Sequence, residues 1–253
     1  MTIASAYSTL CWALLLLSPL TLLSLFFVSA PYGRHTRTGW GPTMSTRWAW
    51  VVMESPSVFL FAIVVTAGPL RAQPVVLVLV LLWLSHYVHR ALWYPFTIRT
   101  SASKPTPVAV AAMGFIFNLM NASANALALG WLGHYATGWL GDPRFLVGVA
   151  LFVLGYAVNR HADAILRSLR KPGEAGYKIP RGGLYRYISS PNYFGEMLEW
   201  GGWALATWSF AGASFAAFTI ANLLPRAIAH HRWYKETFPD YPAERRAVIP
   251  FLL

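Results

Sequence analysis

Long apolar stretches recur along this 253-residue chain. A helix needs about 20 mostly apolar residues to cross the hydrocarbon core of a bilayer. Seven stretches meet that requirement, at about 8–29, 48–68, 74–94, 108–132, 144–162, 192–209 and 211–229. Because 56% of the residues are hydrophobic and only 11% are charged, the composition is not that of a soluble domain. The sequence therefore predicts an all-α integral membrane protein with seven transmembrane helices.

The distribution of Lys and Arg predicts the orientation of these helices. Every Lys and Arg except Arg71 and Arg144 falls in or next to alternate loops, and positive residues near the ends of spans are retained in the cytoplasm. The N-terminus is expected outside and the C-terminus in the cytoplasm. This topology accounts for the net charge of +11, so we expect no nucleic-acid partner.

A glutamate interrupts the second apolar stretch. Ionisable groups in lipid are costly and point to function, and Glu54 lies about 9 Å inside the helix entrance at ~1.5 Å per residue. Tyr87, on the antiparallel third helix, lies at a matching depth. A carboxyl and a phenol at one level can polarise a substrate carbonyl. The alternative is that Glu54 bonds a backbone carbonyl or an arginine and only packs.

The longest polar interval, 159–191, predicts a second site at the cytoplasmic end. Asn159 and Asp163 share one helix face, and Asn192 and Glu196 repeat that spacing in the sixth helix. Ser190, followed by Pro191, is expected to cap that helix, whose first turn would favour an anion. A ligand with phosphates and hydrogen-bonding rings would fit, and a dinucleotide is one. The alternative is a solvated basic loop.

Histidines on the third and last helices raise the question of a metal site. His86, His89 and His230 have no acidic residue at a usable spacing, and a di-iron site needs more such motifs. The single cysteine, Cys11, excludes a cysteine metal site. We expect no metal.

The C-terminal half closely resembles the steroid 5α-reductases. The resemblance rests on "RKPGE", "NYFGEMLEW" and "DYPAERRAVIPF", and it continues more thinly through "ESP" around Glu54 and "HYVHR" around Tyr87. It implies a membrane enzyme that uses NADPH to reduce the C4–C5 double bond of a 3-oxo-Δ4-steroid. A bacterial homologue is expected, in the inner membrane, or in the endoplasmic reticulum if the source is eukaryotic.

The same resemblance implies roles for individual residues. Glu54 and Tyr87 would hold the C3 ketone as the catalytic pair. The implied NADPH contacts are Asn159, Asp163, Arg170, Tyr177, Lys178, Asn192, Glu196, His230 and Tyr234, with Arg90 and Lys104 as further candidates for the phosphates. A single domain is expected over 1–253, with pocket helices in about 1–132 and cofactor-binding helices and loops in about 144–253.

Departures from the family pattern keep other substrates open. Met53 stands where the vertebrate enzymes commonly have Gln, and Ile98 stands where they have a polar residue. Reduction of another enone or enoyl lipid is one alternative, and an isoprenylcysteine-type methyltransferase using S-adenosylmethionine is another. A proton-coupled transporter is less favoured because no internal repeat is evident. The expected partners are membrane lipid and a lipophilic steroid entering from the bilayer, and the chain is expected to be a monomer.

Overall fold

The computed structural model describes residues 2–28, 39–98, 105–171, 174 and 176–253. Within these ranges the chain forms seven helices of 17 residues or more. Their bounds are α1 Ile3–Phe27, α2 Thr46–Ala67, α3 Pro74–Thr97, α4 Val108–Leu132, α5 Pro143–Ser168, α6 Pro191–Thr207 and α7 Phe210–Thr237. Two of them contain a π-helical turn, α3 at His89–Trp93 and α4 at Ala128–Leu132.

Five of the helices, α1 to α5, are long and apolar enough to cross a membrane. Their outer faces carry exposed large apolar side chains, among them Leu16, Ile63 and Leu81. Such surfaces suit contact with lipid. The helical class and the membrane character predicted from the sequence are therefore confirmed for α1 to α5.

The helices differ from the predicted stretches mainly at their ends. Helix α1 begins at Ile3 rather than near residue 8, α5 continues to Ser168, and α7 continues to Thr237. These extensions contain polar residues that a hydropathy pattern leaves out. Helices α5 and α7 therefore extend beyond their apolar stretches, and the end of α5 lies within the polar interval 159–191.

Glycines set the contact between α5 and α6. A Cβ at Gly155 would overlap the backbone of Gly195 and Glu199, and a Cβ at Gly148 would overlap the backbone of Gly202 and Ala206. Small residues let membrane helices approach until their backbones touch. The polar residues of α5 and α6 are therefore held at a separation fixed by main-chain contact.

Aromatic side chains fill the centre of the bundle. Trp83 stacks on Phe61 at a centroid distance of 4.5 Å and contacts the rings of Tyr87, Trp200 and Trp203. The Trp83 indole also donates a 2.8 Å hydrogen bond to the Ser57 carbonyl. Helices α2, α3 and α6 are thus joined around one indole, next to Tyr87.

Strands Thr43–Met44 and Thr106–Pro107 form a two-stranded antiparallel sheet that leads into α2 and α4. The sheet brings the starts of these two helices together, since Thr46 and Thr106 also share a 3.0 Å hydrogen bond. Helices α2 and α4 then pack along their length. This pairing brings Glu54 next to the asparagines of α4.

Candidate active site

Glu54 and Tyr87 lie on packed helices, α2 and α3, but an amide of α4 stands beside the carboxyl. Asn118 Nδ2 donates to Glu54 Oε2 at 3.3 Å and to the Met53 carbonyl at 2.8 Å. Its Oδ1 accepts a 2.8 Å hydrogen bond from the Ser57 hydroxyl. Asn118 therefore links the Glu54 carboxyl to Ser57 and to the backbone of α2.

Further amides of α4 reach Tyr87 from the other side. Asn121 Nδ2 donates to the Tyr87 hydroxyl at 3.5 Å, and Asn125 Nδ2 donates to Asn121 Oδ1 at 2.9 Å. Trp203 of α6 donates its indole N–H to Asn125 Oδ1 at 2.8 Å. Tyr87 is 3% exposed. A buried phenol thus ends a chain of hydrogen bonds from two other helices.

Sequence reasoning missed the three asparagines of α4. The signal was present in "NLMNASAN", where polar amides recur at spacings of three and four residues within an apolar stretch. Such residues share one helix face, and polar groups in a membrane helix usually face the bundle interior. Amides carry no charge, however, so they are a weaker signal in an apolar stretch than the ionisable Glu54.

A second cluster lies at the polar ends of α5 and α6. Asn159 Nδ2 donates to the Asn192 carbonyl at 3.0 Å and to Glu196 Oε2 at 3.4 Å, and Asn192 Nδ2 donates to Asp163 Oδ1 at 3.3 Å. The structure thus brings together the four residues that were predicted, as two spaced pairs, to converge on one ligand. All four lie near the polar interval 159–191.

Arg90 joins this cluster from α3. Its guanidinium lies 3.5 Å from Asp163 Oδ2 and 3.7 Å from Glu196 Oε2. It also stacks on Trp50 and Tyr94, at 4.5 Å and 4.7 Å from the ring centroids. Arg90 therefore pairs with two carboxylates of this cluster, and its role as a phosphate contact stays a prediction.

Basic and aromatic residues lie farther out. Arg170 sits 5.2 Å from the Tyr177 ring centroid, and Tyr177 contacts the Trp233 ring at 5.0 Å. Lys178 Nζ lies 2.5 Å from Glu174 Oε1. Lys178 beside Glu174 holds the pKa of that carboxyl below its usual range. These side chains form an outer, charged group.

Two of the predicted cofactor contacts, His230 and Tyr234, lie on α7 and pack against aromatic rings. His230 packs against Tyr193 of α6 at a centroid distance of 5.3 Å. Tyr234 stacks on Tyr241 at 5.1 Å and is 2% exposed. Lys104, the remaining candidate, lies outside the described residues.

The C-terminal tail fixes the loop before α6. Ser189 and Ser190 donate their backbone N–H groups to the Arg246 and Ala247 carbonyls, and Arg246 N–H donates to the Tyr187 carbonyl. The Ser189 hydroxyl also hydrogen-bonds His231 at 2.6 Å. Burial, with nearby Lys235 and Arg246, lowers the pKa of His231 and favours its neutral ring. Loop, tail and α7 are thus tied together.

The expected cap at the start of α6 is wrong in one respect. The helix begins at Pro191, yet the Ser190 side chain makes no capping hydrogen bond. Its hydroxyl is buried, and the N–H groups of Tyr193 and Phe194 both donate to the Ser190 carbonyl. The prediction that Ser190 caps α6 through its side chain is therefore wrong, and the tail instead binds the Ser190 backbone through the Ala247 carbonyl.

A buried pair that sequence reasoning did not connect links α3 to α6. His86 Nδ1 lies 2.8 Å from Glu199 Oε1, and the two residues are 5% and 0% exposed. His86 precedes Tyr87 and packs edge-on against Trp200. The pair sits between the inner amides and the cluster around Asp163.

Comparison with known proteins connects this arrangement to a family. A family model described as 3-oxo-5-alpha-steroid 4-dehydrogenase matches residues 104–253. The chain is 46% identical to steroid 5-alpha-reductase DET2 of Gossypium hirsutum over 239 residues, 92% of each chain. It is 45% identical to 3-oxo-5-alpha-steroid 4-dehydrogenase 1 of Bos taurus over 90% of each chain. The Homo sapiens protein of that name is also 45% identical, over 87% of this chain and 85% of its own.

Proposed function

The chain belongs to the 3-oxo-5-alpha-steroid 4-dehydrogenase family, the steroid 5α-reductases, and is an oxidoreductase; from that premise we propose that it reduces the C4–C5 double bond of a 3-oxo-Δ4-steroid with NADPH. One observation carries the proposal. Tyr87 and Arg90 are three residues apart on α3, one helical turn and ~4.5 Å of rise. The phenol, beside Glu54, therefore adjoins the cluster around Asp163.

The inner cluster supplies the groups that act on the steroid. Tyr87 donates a hydrogen bond to the C3 carbonyl oxygen, and Glu54 flanks the same oxygen. Withdrawing electron density through that oxygen makes C5 electrophilic, and the same groups stabilise the negative charge that develops as the double bond is reduced. Because the site is surrounded by buried aromatic rings, these hydrogen bonds act in a medium of low dielectric constant.

The cluster at the ends of α5 and α6 fits a dinucleotide by its chemistry. Amides and carboxylates of Asn159, Asp163, Asn192 and Glu196 suit ribose hydroxyls and a carboxamide. Arg170 lies seven residues beyond Asp163, ~10 Å farther out at ~1.5 Å per residue, where Lys178 and Tyr177 also lie. The order from polar to basic matches a molecule with an uncharged ring at one end and phosphates beyond it.

The hydride belongs to the cofactor, and the protein supplies orientation and electrostatics. The double bond gains hydrogen at C5 and at C4, the latter as a proton, which balances the oxidation of one NADPH to NADP+. His230 and Tyr234 would border the cofactor from α7. The tail around Arg246 holds the loop, and with it Tyr177 and Lys178, against these helices.

The membrane arrangement completes the proposal. All seven helices cross the bilayer, with the N-terminus outside and the loop-bearing ends of α5 and α6 in the cytoplasm, where NADPH is available. The steroid enters sideways from lipid, and the chain acts as a monomer folded as one domain. The basic residues near 160–186 support this orientation, since such residues are retained in the cytoplasm.

The test uses purified protein in detergent or nanodiscs. We expect NADPH consumption on adding testosterone or progesterone, a product two hydrogens heavier, and deuterium at C5 when the transferable hydride of NADPH is labelled. Tyr87→Phe is expected to reduce this activity strongly, with a residual rate, while retaining NADPH affinity. Reduction of other enones but no 3-oxo-Δ4-steroid would contradict the substrate assignment. Methyl transfer from S-adenosylmethionine without reduction would contradict the reaction class.

A further inference from the structure

We propose that Asn121, Asn125 and Trp203 are positioning residues that orient the hydrogen bond at Tyr87, so that the phenol keeps its proton for a substrate carbonyl. The inference rests on the proposed role of Tyr87 and deepens it. It starts from the amide column of α4, defined as Asn118, Asn121 and Asn125. These residues are 5%, 0% and 1% exposed, so their hydrogen bonds are made to other protein groups.

The direction of the column is fixed at Trp203. An indole N–H can only donate, whereas a carboxamide has one accepting oxygen and one donating NH2. The 2.8 Å contact with Trp203 therefore requires the oxygen of Asn125 at that position. The NH2 of Asn125 then points the opposite way.

The next contact carries the same direction to Asn121. Asn125 Nδ2 donates to Asn121 Oδ1 at 2.9 Å and to the Asn121 backbone carbonyl at 3.1 Å. Both of these oxygens can only accept. Asn121 must therefore turn its NH2 towards Tyr87, where it donates to the hydroxyl oxygen at 3.5 Å.

The phenol consequently meets a donor on this side and cannot give its proton to Asn121. Ser57 gives its own proton to Asn118 Oδ1 at 2.8 Å. Asn118 is itself oriented, because its NH2 donates to the Met53 carbonyl and to Glu54. Among the hydrogen bonds of the described residues, the Tyr87 hydroxyl accepts from Asn121, so its proton is left for an incoming carbonyl oxygen.

The direction matters most as negative charge develops on the substrate oxygen. Hydrogen bonds in a chain polarise one another, so donation from Asn121 to the Tyr87 oxygen makes the phenol a stronger donor. If Asn121 could rotate its carboxamide, its oxygen would compete with the substrate for the tyrosine proton. The Trp203 indole prevents that rotation indirectly, because it orients Asn125 and Asn125 in turn orients Asn121.

Two variants test the proposal. Trp203→Phe removes the anchor and Asn121→Leu removes the donor, and each is expected to lower kcat for steroid reduction roughly 10- to 100-fold, below the full loss of an oxyanion donor. Affinity for NADPH should change less than about twofold, since these residues lie outside the cofactor cluster. Trp139→Phe is the matched control. Its indole also donates in a buried position, to the Ala206 carbonyl at 3.1 Å, and kcat should stay within about twofold.

A double-mutant cycle separates positioning from structure. In a Tyr87→Phe background the hydroxyl is absent, so Asn121→Leu should have no further effect on the residual rate. The second readout is the infrared band of a ¹³C-labelled C3 carbonyl in a steroid bound without cofactor. Wild type should shift this band to lower frequency, and both Asn121→Leu and Tyr87→Phe should reduce the shift.

The outcomes distinguish this inference from the proposed function. A wild type that neither binds nor reduces steroids contradicts both. If the wild type reduces steroids, and Asn121→Leu keeps both the kcat and the carbonyl band of the wild type, the positioning role alone is contradicted. An Asn121→Leu effect of equal size in the Tyr87→Phe background would also overturn it, because a loss without the hydroxyl is a packing effect. If Trp203→Phe fails to fold, Asn121→Leu still decides.

Discussion

The inner site around Tyr87 and the outer group around Lys178 are built in opposite ways. In the inner site, hydrogen bonds join side chains from α2, α3, α4 and α6, and their residues are 34 to 78 positions apart in sequence. In the outer group, Lys178 pairs with Glu174 four residues earlier, and the two side chains are 49% and 35% exposed. The inner site is fixed by the packing of the bundle, whereas the Lys178–Glu174 pair of the outer group depends on local chain geometry.

This difference matches two tasks. Polarising a carbonyl needs donors that do not reorient as charge develops, so rigid long-range bonds favour it. A cofactor must enter and leave in every turnover, so the region that receives it needs surface access and segments of lower local stability. Changes in the inner site should therefore alter chemistry or folding, and changes in the outer group should alter affinity.

The largest effect is expected for Glu54→Gln. An amide cannot ionise or give up a proton beside the developing negative charge, so kcat should fall roughly 100- to 1,000-fold, as when an oxyanion donor is lost. Steady-state kinetics with saturating steroid, together with NADPH titration, measures this. A rise of similar size in the Kd for NADPH would contradict the claim that the inner site acts on the chemistry and not on cofactor affinity.

Removal of a buried partner should lower stability next most strongly. Glu199→Ala leaves His86 without its 2.8 Å partner, and leaving a buried polar group without its hydrogen-bond partner costs about 2 kcal/mol. Thermal unfolding in detergent should record a clear fall in Tm. Glu174→Ala is the matched control, since an ion pair between exposed side chains contributes little to stability. Equal shifts in Tm for the two variants would contradict the contrast.

Asn192→Ala should weaken cofactor binding moderately. The variant loses the carboxamide that we propose contacts the cofactor, and one hydrogen bond to a charged group contributes about 1.5 kcal/mol. That corresponds to roughly a tenfold rise in the Kd for NADPH. The Kd can be followed by nicotinamide fluorescence. With saturating NADPH, kcat should recover, and a lasting loss would assign Asn192 to the chemistry instead.

The smallest effect is expected for Lys178→Gln. An exposed cation acts on phosphates through solvent, so the Kd for NADPH should rise roughly threefold at low ionic strength. The difference should disappear near 1 M salt, where screening acts over about 3 Å. The effect of Asn192→Ala should persist there because Asn192 is uncharged. Salt dependence in both variants would remove the distinction between the polar cluster and the outer group.

The sequence predicted much of the helical architecture because long apolar stretches are a strong signal. It also grouped Asn159 with Asp163 and Asn192 with Glu196, since residues four apart share a helix face. It could not predict that Asn159 bonds Asn192, or that Arg90 lies between Asp163 and Glu196, because these contacts depend on how three helices pack. Matching depths placed Glu54 near Tyr87, but Asn118 of α4, which is uncharged and contacts Glu54, was not predicted.

Backbone contact between α5 and α6 has a mechanical consequence. With Gly148 and Gly155 pressed against the opposite main chain, the two helices can neither slide nor separate without losing that contact. The distance between Asp163 and Asn192 is then constant and is set before any ligand binds. A bulkier ligand cannot increase the distance between these two residues without moving the main chains of α5 and α6 apart.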